Sequence, residues 1–278
     1  MSAPRRVVVT GGSRGIGRAV AEALAERGVR LLLLARSREA LAQTCAELAG
    51  EEHEAVALDV ADKTAWRRLA PRLGDVDGLV CAAAMLDPVG PVGTYSVEGF
   101  QRTLDVNVTG TLQAIVSCLP ALRANKGSIV TFSGGGGTAP LPRFAAYAAS
   151  KAAVVRLTET IALELAADGV RANCVAPGFV ATEMHRATLV AGPDRAGAEY
   201  FERTRAELDR GGVPASEAAE LVCRLLQHEP GAAFTGKLVS AQWDDWRDLG
   251  FRRRLAAERD LATLRRIDDT LFGRIGDS

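Results

Sequence analysis

The chain has 278 residues, 47% of them hydrophobic and 24% charged. That composition suits one soluble globular domain with a substantial core. Lys+Arg and Asp+Glu are both 34, giving a formal net charge of +0, which argues against bulk electrostatic binding of nucleic acid or of an anionic membrane surface. No apolar run approaches the roughly 18–20 residues of a membrane span. The start of the chain runs directly into Val7 without the apolar core of a signal peptide. Five scattered cysteines, at 45, 81, 118, 174 and 223, form no CxxC pair and read as buried thiols of a reducing cytoplasm. No metal site is expected.

Short apolar runs alternate with amphipathic stretches. A strand over Val7–Thr10 precedes a helix over Gly15–Arg27, with Ile16, Ala19, Val20, Ala23 and Leu24 on one face. Leu31–Ala35 is the second strand, followed by a helix over Glu39–Leu48. Ala55–Leu58 is the third, followed by a helix near Lys63–Leu73. After the fourth strand, Leu79–Ala82, one long helix is expected over Val97–Arg123. Ser128–Phe132 is the fifth strand, Ala146–Ala167 a long helix and Ala172–Val175 the sixth strand. A helix over Ser216–His228 precedes the last strand, Lys237–Ala241. Continuous apolar strands separated by helices predict an α/β doubly wound, seven-stranded, mostly parallel sheet with helices on both faces, a Rossmann-like single domain. Residues 1–243 form the expected nucleotide-binding catalytic domain, with a polar lid near 183–213 punctuated by Gly192-Pro193 and Gly211-Gly212. Residues 244–278 form a helical extension, in which Leu255, Leu261 and Leu264 are expected to meet another subunit or cover the chain's own sheet edge.

The first strand runs into Thr10-Gly-Gly-Ser-Arg-Gly-Ile-Gly17 and then a helix. A glycine-rich strand-to-helix turn lets backbone approach a pyrophosphate and aims helix N–H groups at the anion. Gly11, Gly15 and Gly17 are the key positions, with Ser13, Arg14 and Ile16 between them. Farther along, Tyr147 and Lys151 of Tyr-Ala-Ala-Ser-Lys lie one helical turn apart on one face. Reduction of a carbonyl needs a proton on oxygen, and Tyr can donate it, but its ordinary pKa of about 10 is high. An ammonium about 4 Å away, at an effective dielectric near 20, stabilises phenolate by roughly 4 kcal/mol. That equals about three pK units at most.

The TGxxxGxG turn and the YxxxK pair together resemble the short-chain dehydrogenase/reductase family, and further segments agree in order over residues 5–241. Asp59-Val60 stands where the family contacts adenine. Asn107 lies in a family-like Asp-Val-Asn-Val context. Arg171-Ala-Asn-Cys-Val-Ala-Pro-Gly178 resembles the family's VNxxxPG segment, with Thr182 at the nicotinamide position. The resemblance implies an NAD(P)-dependent oxidoreductase in which Tyr147, Lys151 and Asn107 are catalytic, Lys151 also holding the nicotinamide ribose and Asn107 supporting a proton-relay water. It implies further cofactor contacts at Arg36, Ser37, Ala83, Pro177, Gly178 and Val180, and a homodimer or homotetramer. Where an NAD enzyme would carry an acid after the second strand, this chain has Ala35-Arg36. Arg36 and Arg14 can pair with a 2′-phosphate, so NADP is expected over NAD.

Two departures stand out. The family's substrate-binding serine, thirteen residues before the tyrosine, falls on Gly134, within Ser133-Gly-Gly-Gly-Gly137. Either Ser133 enters the site through a bulge, the reading preferred from sequence, or a backbone N–H, water or substrate hydroxyl replaces it. Cys81-Ala-Ala-Ala84 replaces the common NNAG; Cys81 reads as packing. Arg143, Phe144, His185, Arg186, Tyr200, Trp243 and Trp246 are candidates to face substrate. They suggest a polar, oxygen-rich small molecule such as a sugar, cyclitol or natural-product intermediate, against a 3-oxoacyl thioester. A regulatory nucleotide binder with weakened catalysis, and an epimerase working through a transient ketone, are further alternatives.

Overall fold

A computed structural model describes residues 5–227 and 233–265. Seven strands form one sheet: β1 (Arg6–Thr10), β2 (Arg30–Ala35), β3 (Glu54–Ala57), β4 (Gly78–Cys81), β5 (Ser128–Phe132), β6 (Arg171–Ala176) and β7 (Leu238–Ser240). Their order is β3-β2-β1-β4-β5-β6-β7, and every pairing is parallel. The order reverses between β1 and β4, so a crevice opens beyond their carboxyl ends.

Strand alternation sends successive side chains to opposite faces. Val7, Val9, Leu31, Leu33, Val80, Val130 and Val175 pack beneath α1 (Gly15–Ala25) and α9 (Ala215–Leu226). Val8, Leu32, Leu34, Leu79, Ile129 and Ala172 pack on the other face beneath α3 (Lys63–Leu69), α5 (Gly110–Asn125) and α6 (Ala145–Glu164). Both faces are therefore covered, as the unbroken apolar strands require. α2 (Arg38–Glu47) follows β2, capped by the Ser37 hydroxyl, which accepts from Ala40 N at 3.2 Å. The helix expected to end at His228 ends at Leu226; His228 itself lies outside the described residues.

Two expectations change. The single helix over Val97–Arg123 is two helices, α4 (Val97–Leu104) and α5, joined by a π-helical stretch over Asp105–Thr109 that contains Asn107. Periodicity missed it because one inserted residue shifts the helical face by only about 100°, leaving the apolar spacing superficially intact. Residues 183–213 are largely helical, comprising α7 (Glu183–Ala196) and α8 (Ala198–Asp209). Gly192 kinks α7 at φ 79, so its two Gly–Pro residues mark a bend rather than a loop. The excursion returns to its origin: Val213 N donates to Phe179 O at 2.7 Å, and Val180 bridges Gly212.

The C-terminal leucines belong to the chain's own core. Leu255, on α10 (Leu249–Ala257), is fully buried beside α9, Leu261 packs against the same cluster, and Leu264 packs against Val154, Val155 and Cys174. Leu238 N donates to Ala262 O at 2.8 Å, while Lys237 Nζ donates to the carbonyls of Glu258, Arg259 and Leu261. These bonds lay the segment after α10 along the β7 edge, which answers the exposed-edge problem of an open sheet. Residues 266–278 of the expected extension lie outside the described residues. Cys81, Cys118, Cys174 and Cys223 are buried free thiols and Cys45 is half-buried. Among the described residues no helix is long and apolar enough to cross a membrane, and no His/Cys/Asp/Glu group can hold a metal.

Candidate functional site

The first half of the site is the turn between β1 and α1. Gly11 has φ +69, and a Cβ there would meet Ala83 N at 2.8 Å and Ala83 Cα at 2.9 Å. Only glycine brings the turn this close to the end of β4, where Ala83 N donates to Thr10 Oγ1 at 3.2 Å. A Cβ on Gly17 would strike the Gly11 carbonyl. Gly15, exposed at φ +56, faces Thr182 across the crevice, where a Cβ would stand 3.3 Å from Thr182 Cγ2. The α1 amino end has no side-chain cap from Arg14 and no acidic residue in its first turn. Its open N–H groups and positive dipole end suit an anion.

Around this cradle, Ser13 is half-buried and its carbonyl accepts from Thr44 Oγ1 at 3.4 Å, while Ile16 packs into the core. Arg14 and Arg36 are exposed, and among the described residues neither has a salt-bridge partner. The Ser37 hydroxyl is already engaged as the α2 cap. Asp59 accepts from Ala61 N at 2.9 Å and pairs with Arg102 at 2.5 Å. Burial alone would raise the Asp59 carboxyl, but the Ala61 N–H, Arg102 and Arg36 outweigh it and hold the pKa below the usual carboxylate value. Val60 is buried against Gly110.

The opposite wall is the segment after β6. Pro177 is buried, and Gly178 holds the left-handed backbone (φ +78) that favours glycine. Val180 is buried, and the Thr182 carbonyl accepts the His185 N–H at 3.0 Å. His185 stacks on Phe179 with ring centroids 4.0 Å apart. Burial pushes its pKa down to about 4, and its Nδ1 is enclosed without a partner. The ring is thus neutral at physiological pH and unsuited to protonating a substrate.

The second half is α6. Tyr147, Ser150 and Lys151 are all buried on its inner face. Lys151 Nζ donates to Phe132 O at 3.0 Å and lies 5.6 Å from the Tyr147 ring centroid. Burial lowers Lys151 to about 8 and raises the Tyr147 phenol, with Tyr200 adding to the rise. Lys151 Nζ thus sits near the Tyr147 ring while one of its N–H groups is held by the strand carbonyl. Asn107 is 1% exposed within the π-helical stretch. Its Nδ2 donates to Met85 O and Ser150 Oγ, both at 2.9 Å, and its Oδ1 accepts from Met85 N at 2.8 Å. Ser150 Oγ donates to Tyr147 O at 2.7 Å. Asn107 thereby ties the segment after β4 to α6. Ser150 was missed in the sequence, although its position inside YxxSK, three residues after Tyr147, was a signal for it.

Ser133 and Gly134 follow directly on β5, ahead of α6. Gly137 N donates to Gly134 O at 3.0 Å and Gly136 has φ +90, so Gly134–Gly137 is a type II turn. A Cβ on Gly134 would overlap the Tyr147 hydroxyl and stand 3.0 Å from its Cζ. Ser133 Oγ abuts Gly137 on the Lys151 side and makes no hydrogen bond to Tyr147.

Beside Tyr147, Leu86, Val89, Phe144 and Ala196 form an apolar cluster, joined by Leu141, Met184, Tyr200 and Phe201. Phe144 is fully buried there, its ring 4.6 Å from that of Tyr200. Two substrate candidates fall elsewhere. Arg143 (φ 71) donates to Asp194 O at 2.5 Å, so its guanidinium holds the end of α7 rather than facing a ligand. Trp243 is 80% exposed, because the Ser240–Asp244 turn directs it outward, while Trp246 takes the buried place.

A sequence profile described as short chain dehydrogenase matches residues 5–190. The chain belongs to the short-chain dehydrogenase family. It is 32% identical over 232 residues to a 2-dehydro-3-deoxy-L-rhamnonate dehydrogenase (NAD(+)) of Sphingomonas sp. (strain SKA58), covering 82% of this chain and 90% of that one. It is 31% identical over 253 residues to a rhamnolipids biosynthesis 3-oxoacyl-acyl-carrier-protein reductase of Pseudomonas aeruginosa, covering 85% and 94%. Among solved structures, an actinorhodin polyketide ketoreductase variant with NADPH superposes with a TM-score of 0.75 at 32% identity, over 85% of this chain and 95% of that one. The short-chain dehydrogenase fold, with its Rossmann-like parallel sheet, and an NAD(P)-dependent oxidoreductase activity follow.

Proposed function

We propose that this short-chain dehydrogenase is NADP-dependent and interconverts a ketone and a secondary alcohol on a small molecule. The observation that carries the reading is the meeting, beyond the β1/β4 switch point, of a glycine cradle facing Thr182 with a buried Tyr147–Lys151 pair. Gly11, Gly15, Gly17 and the open α1 amino end would hold the pyrophosphate, with Ser13 and Ile16 as neighbouring turn contacts. Asp59, Val60 and Ala83 would border the adenosine, and Pro177, Gly178, Val180 and Thr182 the nicotinamide. NADP is supported over NAD by Ala35, which offers no carboxylate to the ribose, and by Arg14 and Arg36, which keep unpaired cations beside it.

Bound there, the dinucleotide supplies or accepts a hydride at its nicotinamide carbon. Tyr147 Oη gives its proton to the substrate oxygen in reduction and takes one back in oxidation. Burial keeps the phenol protonated, as a proton donor in the reductive direction requires. Lys151, lowered to about 8, is still mostly charged at neutral pH. Its ammonium draws electron density from the phenol and eases proton release. Asn107 holds β4 and α6 in register at the relay end of the pair.

The apolar wall at Leu86, Val89, Phe144, Met184 and Phe201 refines the substrate class. It favours a carbonyl flanked by a ring or acyl face. A natural-product intermediate fits better than a free sugar, whose hydroxyls would lose their hydrogen bonds against that wall. A 3-oxoacyl thioester remains the second reading, supported by the same wall. Exposed Leu112 and Val116 on α5 and Leu163 on α6 support a homodimer or homotetramer. The free thiols fit a reducing cytoplasmic place, and the balanced charge disfavours nucleic-acid or anionic-membrane partners. NADPH consumption across a panel of cyclic, aryl and acyl ketones tests the function. Turnover lost in Tyr147→Phe is expected.

A further inference from the structure

A ketone oxygen has two lone pairs, and developing negative charge on it during reduction gains from a donor at each. Tyr147 accounts for one. The family's second donor is missing, because position 134 is glycine and the space for its side chain is filled by the Tyr147 hydroxyl. Ser133 Oγ turns toward Gly137. His185 Nδ1 is sealed in, and the Arg143 guanidinium is engaged by carbonyls of α7.

One group in the cluster has the required chemistry. Tyr200, the third residue of α8, is half-buried, with its ring 4.6 Å from that of Phe144 and the Arg203 guanidinium 4.9 Å from its ring centroid. Phe144, Tyr147 and Tyr200 share one apolar cluster. Neither phenol hydroxyl has a hydrogen-bond partner among the described residues, and neither is among the fully enclosed unpaired atoms. Both phenol rings thus belong to one apolar cluster, and both hydroxyls lack a protein partner among the described residues. Tyr200 also contributes, after burial, to the rise of the Tyr147 pKa. Arg203 acts in the opposite sense on Tyr200 to burial, favouring a more polarised O–H than an apolar site alone would give.

Resting on the oxidoreductase reading above, we propose that Tyr200 donates the second hydrogen bond to the substrate oxygen, in place of the serine that Gly134 excludes. The proton stays on Tyr200 throughout; Tyr147 alone transfers one. Because the donor sits on α8, the helix pair α7–α8 completes the catalytic centre as well as covering it. The kink at Gly192 and the Arg143 bonds to the end of α7 then act as positioning devices for this hydroxyl.

The test compares Tyr200→Phe, Tyr200→Leu and Ser133→Ala in steady-state reduction with NADPH, using whichever ketone of the panel the wild type turns over. Tyr200→Phe keeps the ring against Phe144 and removes only a hydroxyl without a protein partner. It is expected to lower kcat by about 10²-fold, with the NADPH dissociation constant within twofold and the melting temperature unchanged. Tyr200→Leu is expected to lower kcat equally and to lose melting temperature as well. Ser133→Ala is expected to change kcat less than threefold. A Tyr200→Phe enzyme retaining half or more of wild-type kcat, while Tyr147→Phe abolishes it, overturns this inference alone. A wild type without turnover on any ketone overturns the proposed function and this inference together.

Discussion

Placing a side chain at residue 134 should damage the enzyme, including the serine that the family resemblance implies there. A Cβ on Gly134 would overlap the Tyr147 hydroxyl and lie 3.0 Å from Cζ, well inside carbon–carbon contact. Relief requires either a shift of the strand end or rotation of the phenol. Overpacking of a tight site costs about 1–3 kcal/mol, and an aromatic ring driven ~30° off its rotamer about 0.5–1.5 kcal/mol. The catalytic cost is larger than the stability cost, because about 1 Å of misplacement at the reacting atom loses roughly 10²-fold. Gly134→Ala is therefore expected to lower kcat by about 10–100-fold and the melting temperature by about 2–8 °C, with NADPH affinity unchanged. Gly134→Ser should fall in the same direction. Steady-state NADPH oxidation, a fluorescence titration with NADPH and thermal melts separate the three quantities. A Gly134→Ser enzyme as active as wild type, or more so, would refute the steric reasoning and restore a family-type serine at this position.

Lys151 should be a stability liability as well as a catalytic group. Its fall from 10.5 to about 8 on burial corresponds to about 3 kcal/mol against the charged form at neutral pH. Lys151→Met should thus stabilise the fold at pH 7 by up to ~2 kcal/mol, after allowing for the lost bond to Phe132 O, while abolishing turnover. Between pH 8 and 10.5 the unfolded wild type binds more protons than the folded one, so wild-type stability rises with pH and the variant's advantage should shrink there. Denaturant titrations at pH 7 and 10 measure it; an advantage that grows with pH would contradict the assignment. Arg36→Ala should weaken NADPH binding by about 1–3 kcal/mol and spare NADH, as read by titration of both nucleotides. Truncation after residue 249 should lower the melting temperature even in dilute protein, because Leu255 and Leu264 pack on the chain's own core. Unchanged melting with altered light-scattering mass would instead return those leucines to a subunit contact.

Much of this was legible in the residues. The β1–α1 turn declared itself because its glycines are demanded by close backbone approach, at Gly11 against Ala83 above all. The seven strands and their alternation with helices followed from unbroken apolar runs, but not their order in the sheet. Features set by three-dimensional packing were not legible. The π-helical stretch at Asn107 leaves hydrophobic spacing intact, and the α7–α8 helices are too polar on average to declare a buried face. Arg143 and Trp243 looked like ligand-facing groups because nothing in their spacing reveals that one is bonded to Asp194 O and the other turned to solvent. Gly134 reads as a missing serine, and only the position of the Tyr147 ring shows that the vacancy is already filled.

The central claim is that Tyr147 passes a proton to a ketone oxygen in an NADP-dependent site. The most direct measurement is single-turnover oxidation of enzyme-bound NADPH by a reactive ketone, comparing wild type with Tyr147→Phe at matched cofactor saturation. Loss of at least 10³-fold in the chemical step, with NADPH bound as tightly as in wild type and more tightly than NADH, is the predicted result. Full activity in Tyr147→Phe, or a wild type that binds NADH tenfold tighter than NADPH, would contradict it.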